Sequence, residues 1–325
     1  MALAGAGAAQ TIDPSACAAA LRFAATNRGV SVLVLQDGKQ VCASPEATLM
    51  ERHELWSGTK SFLGLIAAAA VQDKFLALDE PVATTVPEWS SDPLRRTITI
   101  RHLLSMTSGQ ASQIGRPPGY ADALNAAVNA PPGTRFQYGP TPSQIFGEVM
   151  RRKLLSSGRP GDVRQYLQER LLTPIGIANV TWRMGPDGAP LMPQGASLSA
   201  REWARVGEFV RVGGRLNGVP LVDPETFAQL FKGSDANPAY GLSWWLARQT
   251  PARDVVSQTS DIPRNITSLP GDLVYAAGIG DQRLYVIPSH GLTIVRQAQL
   301  DLAVITRGQS GWSDTKFLTT LISAR

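Results

Sequence analysis

Histidine and cysteine are both scarce in this chain. Its 325 residues include three histidines, His53, His102 and His290, and two cysteines, Cys17 and Cys42. The histidines stand far apart, and no four residues of the usual ligand types fall together, so neither a structural zinc site nor any other metal is expected. Long apolar runs are missing too. No stretch approaches the roughly eighteen consecutive apolar residues that a membrane-spanning helix needs. A basic stripe is also absent. Lys plus Arg number 31 against 26 Asp plus Glu, a formal charge of +5, and the positive residues are scattered apart from Arg95-Arg96 and Arg151 to Lys153. No aromatics interleave with them, so the pattern reads as a solvated surface and argues against a nucleic-acid partner.

The first ten residues, Met1 to Gln10, are nearly all Ala, Gly and Leu. They lack the basic start and longer apolar core of a complete export signal. Ala4-Gly5-Ala6 and Ala6-Gly7-Ala8 nevertheless both fit a small-residue cleavage site. The expectation is a disordered remnant of an export signal over residues 1–10, and with it a periplasmic or secreted location. The competing reading is a low-complexity terminus. Export would permit a disulfide between Cys17, early in a predicted helix, and Cys42, in a predicted strand. Two small buried apolar residues would satisfy the same pattern, and the sequence leaves both open.

Elements can be read along the rest of the chain. Asp13-Pro14 is an N-cap followed by proline at the first helical position, opening a helix to about Thr26. Val30 to Leu35 and Gln40 to Ala43 read as strands joined at Asp37-Gly38, a hairpin signal. Ser57 to Asp73 reads as a helix apolar almost all round, which places it in the core. Helices are predicted over Thr97–Met106, Ser143–Leu155, Val163–Leu172, Ser199–Val212 and Asp223–Phe231, with little periodicity between Gly115 and Pro142. After Tyr240 the pattern turns to strands: Tyr240–Ala247, Leu273–Ile279, Arg283–Ile287 and Leu292–Gln297, then a last helix over Ser313–Ser323.

Strands at both ends flanking a helical insert predict an α+β fold. It would have one antiparallel sheet flanked by N- and C-terminal helices, plus a mostly helical lobe. The sheet lobe is expected over residues 11–75 and 232–325, the helical lobe over 76–231. A cleft between them is a preferred ligand site.

The first candidate chemistry is Ser57-Gly58-Thr59-Lys60. At the start of a helix, a serine and a lysine three residues on share one face. A serine hydroxyl needs a base within hydrogen-bond reach. A lysine amine, ordinarily titrating near 10.4, becomes such a base when burial lowers its pKa. A helix N-terminus also helps to stabilise an oxyanion. By itself the tetrad reads more readily as an N-cap serine with a surface lysine.

Its surroundings change that. His53-Glu54-Leu55-Trp56-Ser57-Gly58-Thr59-Lys60-Ser61-Phe62 resembles the nucleophile segment of the β-lactamase-like serine hydrolases. That superfamily includes class C β-lactamases, D-alanyl-D-alanine carboxypeptidases, esterases and 6-aminohexanoate-dimer hydrolases. Leu78-Asp79-Glu80-Pro81-Val82 and the run from Ile98 to Gly109 are similar to two more of its segments. The resemblance continues through Phe136-Gln137-Tyr138 to the C-terminal strands.

It implies that Tyr138 is the second activating group, relaying a proton between serine and leaving group. It also implies an oxyanion hole from the backbone N–H groups of Ser57 and Ile279, with Gly278 and Gly280 allowing close approach by a ligand. Trp56, Trp182 and Trp245 are candidates to line the substrate pocket.

Two departures bear on substrate. Tyr138-Gly139-Pro140 has proline where the family usually has asparagine, and Ala276-Ala277-Gly278 lacks the basic residue of the family's strand-edge triplet. Both weaken a carboxylate-bearing β-lactam or cell-wall peptide as substrate. The reading is therefore a cofactor-free serine hydrolase of a small ester or linear amide. A β-lactamase or D-alanyl-D-alanine carboxypeptidase activity is one alternative, and a non-catalytic binding member of the same fold is the other. No glycine-x-serine-x-glycine pentad occurs, which removes an α/β-hydrolase nucleophile elbow.

Overall fold

The computed structural model describes residues 12–252, 259–307 and 310–322. The expectation for residues 1–10 lies outside the described residues. Strand pairing brings the two ends of the chain together. β1 (Gly29–Gln36) and β2 (Lys39–Ala43) come from the start. β3 (Trp245–Leu246), β4 (Val274–Gly278), β5 (Gln282–Ile287) and β6 (Leu292–Ala298) come from the last third. They form a six-stranded antiparallel sheet in the order β2-β1-β6-β5-β4-β3. β1 lies against β6 from Gly29↔Ala298 to Gln36↔Leu292. The β1–β2 turn holds Asp37 at φ +48° and Gly38 at +77°, the two positive angles that a tight hairpin turn of this hand requires.

The longer helices are α1 (Pro14–Thr26), α2 (Ser61–Gln72), α3 (Thr141–Ser156), α4 (Ala200–Arg211) and α5 (Asp314–Ile322). Side chains alternate across the sheet with period two. Val32, Val34, Tyr285, Ile287 and Ile294 join a core with Ala20 and Ala24 of α1 and Phe317, Leu318 and Leu321 of α5. Leu33, Leu284, Val286 and Val295 join a second core on the opposite face. Both faces are covered, which is why these strands read as almost continuous apolar runs.

The second face is covered by α4. The sequence reading assigned residues 199–212 to the helical lobe. Helix α4 lays its apolar stripe of Trp203, Val206 and Val210 against the sheet. A Cβ on Gly207 would meet Thr293 at 2.5 Å and Leu284 at 2.7 Å, so glycine is what lets the helix backbone settle onto β5 and β6. An amphipathic stripe requires an apolar partner surface, and the open sheet face supplies it.

Other elements shift for local reasons. The strand expected over Tyr240–Ala247 shrinks to Trp245–Leu246, because Ser243 takes φ +68° and Leu242 N–H donates to the Leu230 carbonyl. The helix expected over 163–172 is α-helical only at Val163–Leu167 and changes pitch over Gln168–Leu172. The non-periodic stretch from Gly115 holds one short helix, Tyr120–Leu124.

Cys17 of α1 and Cys42 of β2 form a disulfide, with a sequence separation of 25. A loop of that length is expected to contribute about 3 kcal/mol by constraining the unfolded chain. The double variant Cys17→Ala/Cys42→Ala should therefore unfold at a lower urea midpoint. An unchanged midpoint would show that the bridge adds nothing to stability.

Candidate active site

The helix expected from Ser57 begins differently. Trp56–Lys60 winds as a 3₁₀ turn and only Ser61–Gln72 is α-helical. With three residues per turn, positions i and i+3 eclipse, so Ser57 and Lys60 fall on one face. Lys60 Nζ lies 3.2 Å from Ser57 Oγ and also donates to the Pro193 carbonyl at 3.1 Å. The amine is buried, and loss of solvation pushes its pKa down to about 7. At neutral pH a large share of it is thus an unprotonated base.

The turn is anchored on several sides. Trp56 takes φ +49°, a left-handed conformation that costs a bulky residue of order 1–3 kcal/mol. Leu55 N–H donates to the Ala196 carbonyl at 2.8 Å, and Gly58 N–H to the Leu55 carbonyl at 2.9 Å. Thr59 Oγ1 accepts from Ala196 N–H at 3.2 Å. A Cβ on Gly58 would lie 3.0 Å from the Trp203 ring, which leaves little room for a side chain there.

Tyr138 comes from the segment just before α3. Lys60 Nζ lies 4.6 Å from its ring centroid. Trp245 stacks on Tyr138 at 5.5 Å, and Tyr240 meets it edge-on at 5.8 Å. Close packing explains the glycine of Gly139-Pro140. A Cβ on Gly139 would sit 2.1 Å from Ser112 Oγ, and that oxygen accepts the Thr141 N–H at 3.0 Å. Pro140 is the N-cap residue of α3. No asparagine side chain stands at this position, and the backbone carbonyl of Pro193 is a hydrogen-bond partner of the Lys60 amine.

The end of β4 docks against the nucleophile's turn. A Cβ on Gly278 would lie 2.1 Å from the Leu55 carbonyl oxygen. The chain itself therefore comes close to Gly278 on this side. Ile279, 39% exposed, follows at the edge. Gly280 and Asp281 take φ +76° and +63° and turn the chain into β5, so Gly280 too is a requirement of the turn. Ala276, where the resemblance would put a cation two residues before Gly278, is buried in the core.

The tryptophans divide. Trp56 is half-buried, with the Arg183 guanidinium 5.2 Å from its ring centroid. Trp245 is buried and packs on Tyr138. Trp182 is buried in the core. Its ring packs 6.0 Å from Phe62, and its indole N–H donates to the Leu191 carbonyl at 3.0 Å. Burial of so large an apolar ring beside α2 outweighs exposure in a cleft.

Sequence reasoning missed the support beneath the β4–β5 turn. Arg283 is fully buried and donates to the Gly278 carbonyl at 3.1 Å, while its Nε meets Asp314 Oδ1 of α5 at 2.8 Å. Burial alone would raise the Asp314 pKa, but Arg283 and the hydrogen bonds of Tyr285 and Trp312 hold it below the usual carboxylate value. Arg296, also buried, donates to the Asp281 carbonyl at 2.6 Å. Isolated arginines in strands carry no sequence signal for this role.

A cavity of about 460 Å³ adjoins the cluster, with Trp56 and Gln194 in its wall. A larger one of about 670 Å³ lies between α4 and the β1–β2 hairpin and contains none of the candidate residues. No helix among the described residues is long and apolar enough to cross a membrane.

Comparison with known proteins places this architecture. Protein flp of Staphylococcus aureus (strain MW2) is 25% identical over 178 residues, which are 48% of this chain and 35% of flp. The match thus spans about a third of that relative's length. A Pseudomonas syringae β-lactamase/D-alanine carboxypeptidase superposes with a TM-score of 0.68 at 16% identity, covering 95% of this chain and 98% of that one. EstCE1, a hydrolase with promiscuous acyltransferase activity, gives 0.68 at 16% identity, covering 95% and 97%. At these identities the two structures establish the fold alone. The family model Beta-lactamase matches residues 16–302, and the chain belongs to this β-lactamase-fold family of serine hydrolases.

Proposed function

We propose that the protein hydrolyses a carboxylic ester or small linear amide through an acyl-enzyme on Ser57. The observation that carries this is the buried Lys60 amine, with a pKa of about 7, 3.2 Å from Ser57 Oγ. Ser57 Oγ attacks the carbonyl carbon while its proton passes to Lys60. The developing oxyanion rests on the N–H groups of Ser57 and Ile279, and one such donor is typically worth about 3 kcal/mol in the transition state. Tyr138, acting with Lys60, returns the proton to the departing alkoxide or amine as the acyl bond to it breaks. Water then cleaves the acyl-enzyme, its proton taken by the same pair and handed back to Ser57. Lys60 and Tyr138 titrate as a unit in this scheme.

A β-lactam is the less favoured substrate, because neither Pro140 nor Ala276 offers a polar side chain. The Cys17–Cys42 disulfide supports an oxidising compartment, the periplasm or the exterior. The test is turnover of p-nitrophenyl butyrate with rapid acid quench and peptide mass analysis. A butyryl adduct on the peptide containing Ser57 is expected. Turnover with no adduct, or an adduct elsewhere, would overturn the assignment of the nucleophile. No turnover at all would favour the non-catalytic reading, and nitrocefin in parallel reports the lactam alternative.

A further inference from the structure

The cavity beside the candidate site has an unusual charge. Its wall includes Trp56, Arg116, Arg183, Met184, Leu191 and Gln194, and no carboxylate lines it. Two of these residues fix its place. Trp56 immediately precedes Ser57, and Gln194 immediately follows Pro193, whose carbonyl accepts from Lys60. The cavity therefore opens between the chain neighbours of the nucleophile and of the base's acceptor.

Arg183 is held ready within it. Its backbone N–H donates to the Gly195 carbonyl at 2.9 Å, and its own carbonyl accepts from Leu191 N–H at 3.1 Å. Its guanidinium lies over the Trp56 ring and pairs with Glu54 at 2.9 Å. A guanidinium has five N–H donors in a fixed plane, so one carboxylate leaves donors for another anion. Arg116 has no ion-pair partner among the described residues and adds a second positive charge to the same wall. Asp187 lies nearby, outside the lining, and accepts from the backbone N–H groups of Tyr120 and Ala189. The remaining surface, Trp56, Met184 and Leu191, suits a short apolar chain.

We infer that this cavity is an anion subsite, in which Arg116 and Arg183 receive a carboxylate carried by the substrate a few bonds from the scissile carbonyl. This rests on the hydrolase reading above and names its substrate class: half-esters or half-amides of dicarboxylic acids, or esters whose alcohol half bears a carboxylate.

The test compares mono-4-nitrophenyl adipate with its neutral methyl ester, and 3-carboxy-4-nitrophenyl butyrate with 4-nitrophenyl butyrate. Wild type and the Arg116→Gln/Arg183→Gln double variant are assayed on all four. In at least one pair the ratio of kcat/KM, anionic over neutral, should fall about tenfold in the double variant, the scale of a hydrogen bond to a charged group. The change should appear mainly in KM and shrink with added salt. Arg183→Lys should restore part of it in the single-site background. Ratios that are the same in wild type and double variant for both pairs overturn the subsite while leaving the hydrolase reading intact. Hydrolysis of none of the four esters removes the hydrolase reading and the subsite with it.

Discussion

Ser57→Ala should lower kcat on p-nitrophenyl butyrate by roughly 10⁶-fold, the loss seen when a serine hydrolase loses its nucleophile. Lys60→Met should cost less, about 10²- to 10⁴-fold, the usual range for one general base. The two differ because an oxyanion hole and a bound substrate still help a serine attack without its base, whereas alanine has no oxygen to attack with. Lys60 also sets the pH dependence. Only its neutral form takes the serine proton, and burial puts its pKa at about 7. The wild-type kcat/KM should therefore rise about tenfold per pH unit below 7 and level off above it. An ordinary lysine would push that limb above pH 10. In Lys60→Met the limb should vanish. If the same rise persists in that variant, the titrating group is not Lys60 and the base must be sought elsewhere.

Asp314→Ala should lower the free energy of unfolding by about 3–5 kcal/mol, the cost of leaving one member of a buried ion pair unpaired. The pair is fully buried, with Arg283 Nε 2.8 Å from Asp314 Oδ1. Tyr285 O–H and Trp312 Nε1–H also donate to that carboxylate, so the deletion strands two further donors. Removing both charges tests the mechanism. An Arg283→Met/Asp314→Leu variant should recover much of the loss, since a buried pair replaced by apolar side chains of similar volume is often neutral. Urea unfolding of the wild type and both variants measures this. A loss under 1 kcal/mol in Asp314→Ala would mean that water or a shifted side chain satisfies Arg283.

Some features were visible locally and some were not, and the division follows the range of the interactions. The Asp37-Gly38 turn, the Asp13-Pro14 start of α1, the apolar α2 and the apolar strands of the last third were all legible. Each depends on backbone preference or periodicity within a few residues. The Ser57–Lys60 spacing was legible for the same reason, although the turn that brings the pair to 3.2 Å is 3₁₀ and not α. The burial of Trp182 was not legible, because a tryptophan near a cleft and one in a core look the same in sequence.

The amino-acid sequence by itself determined most of the elements, the antiparallel pairing of the two chain ends and the segments around Ser57 that mark the family. Only the tertiary structure decided that α4 covers the sheet, that Cys17 meets Cys42, that the Pro193 carbonyl holds Lys60, and that Arg283 and Asp314 carry the β4–β5 turn. The Cys17–Cys42, Lys60–Pro193, Arg283–Asp314 and Gly207–Thr293 contacts each join residues at least 25 positions apart. Their geometry is set by how whole elements pack, and no local pattern of side chains encodes it.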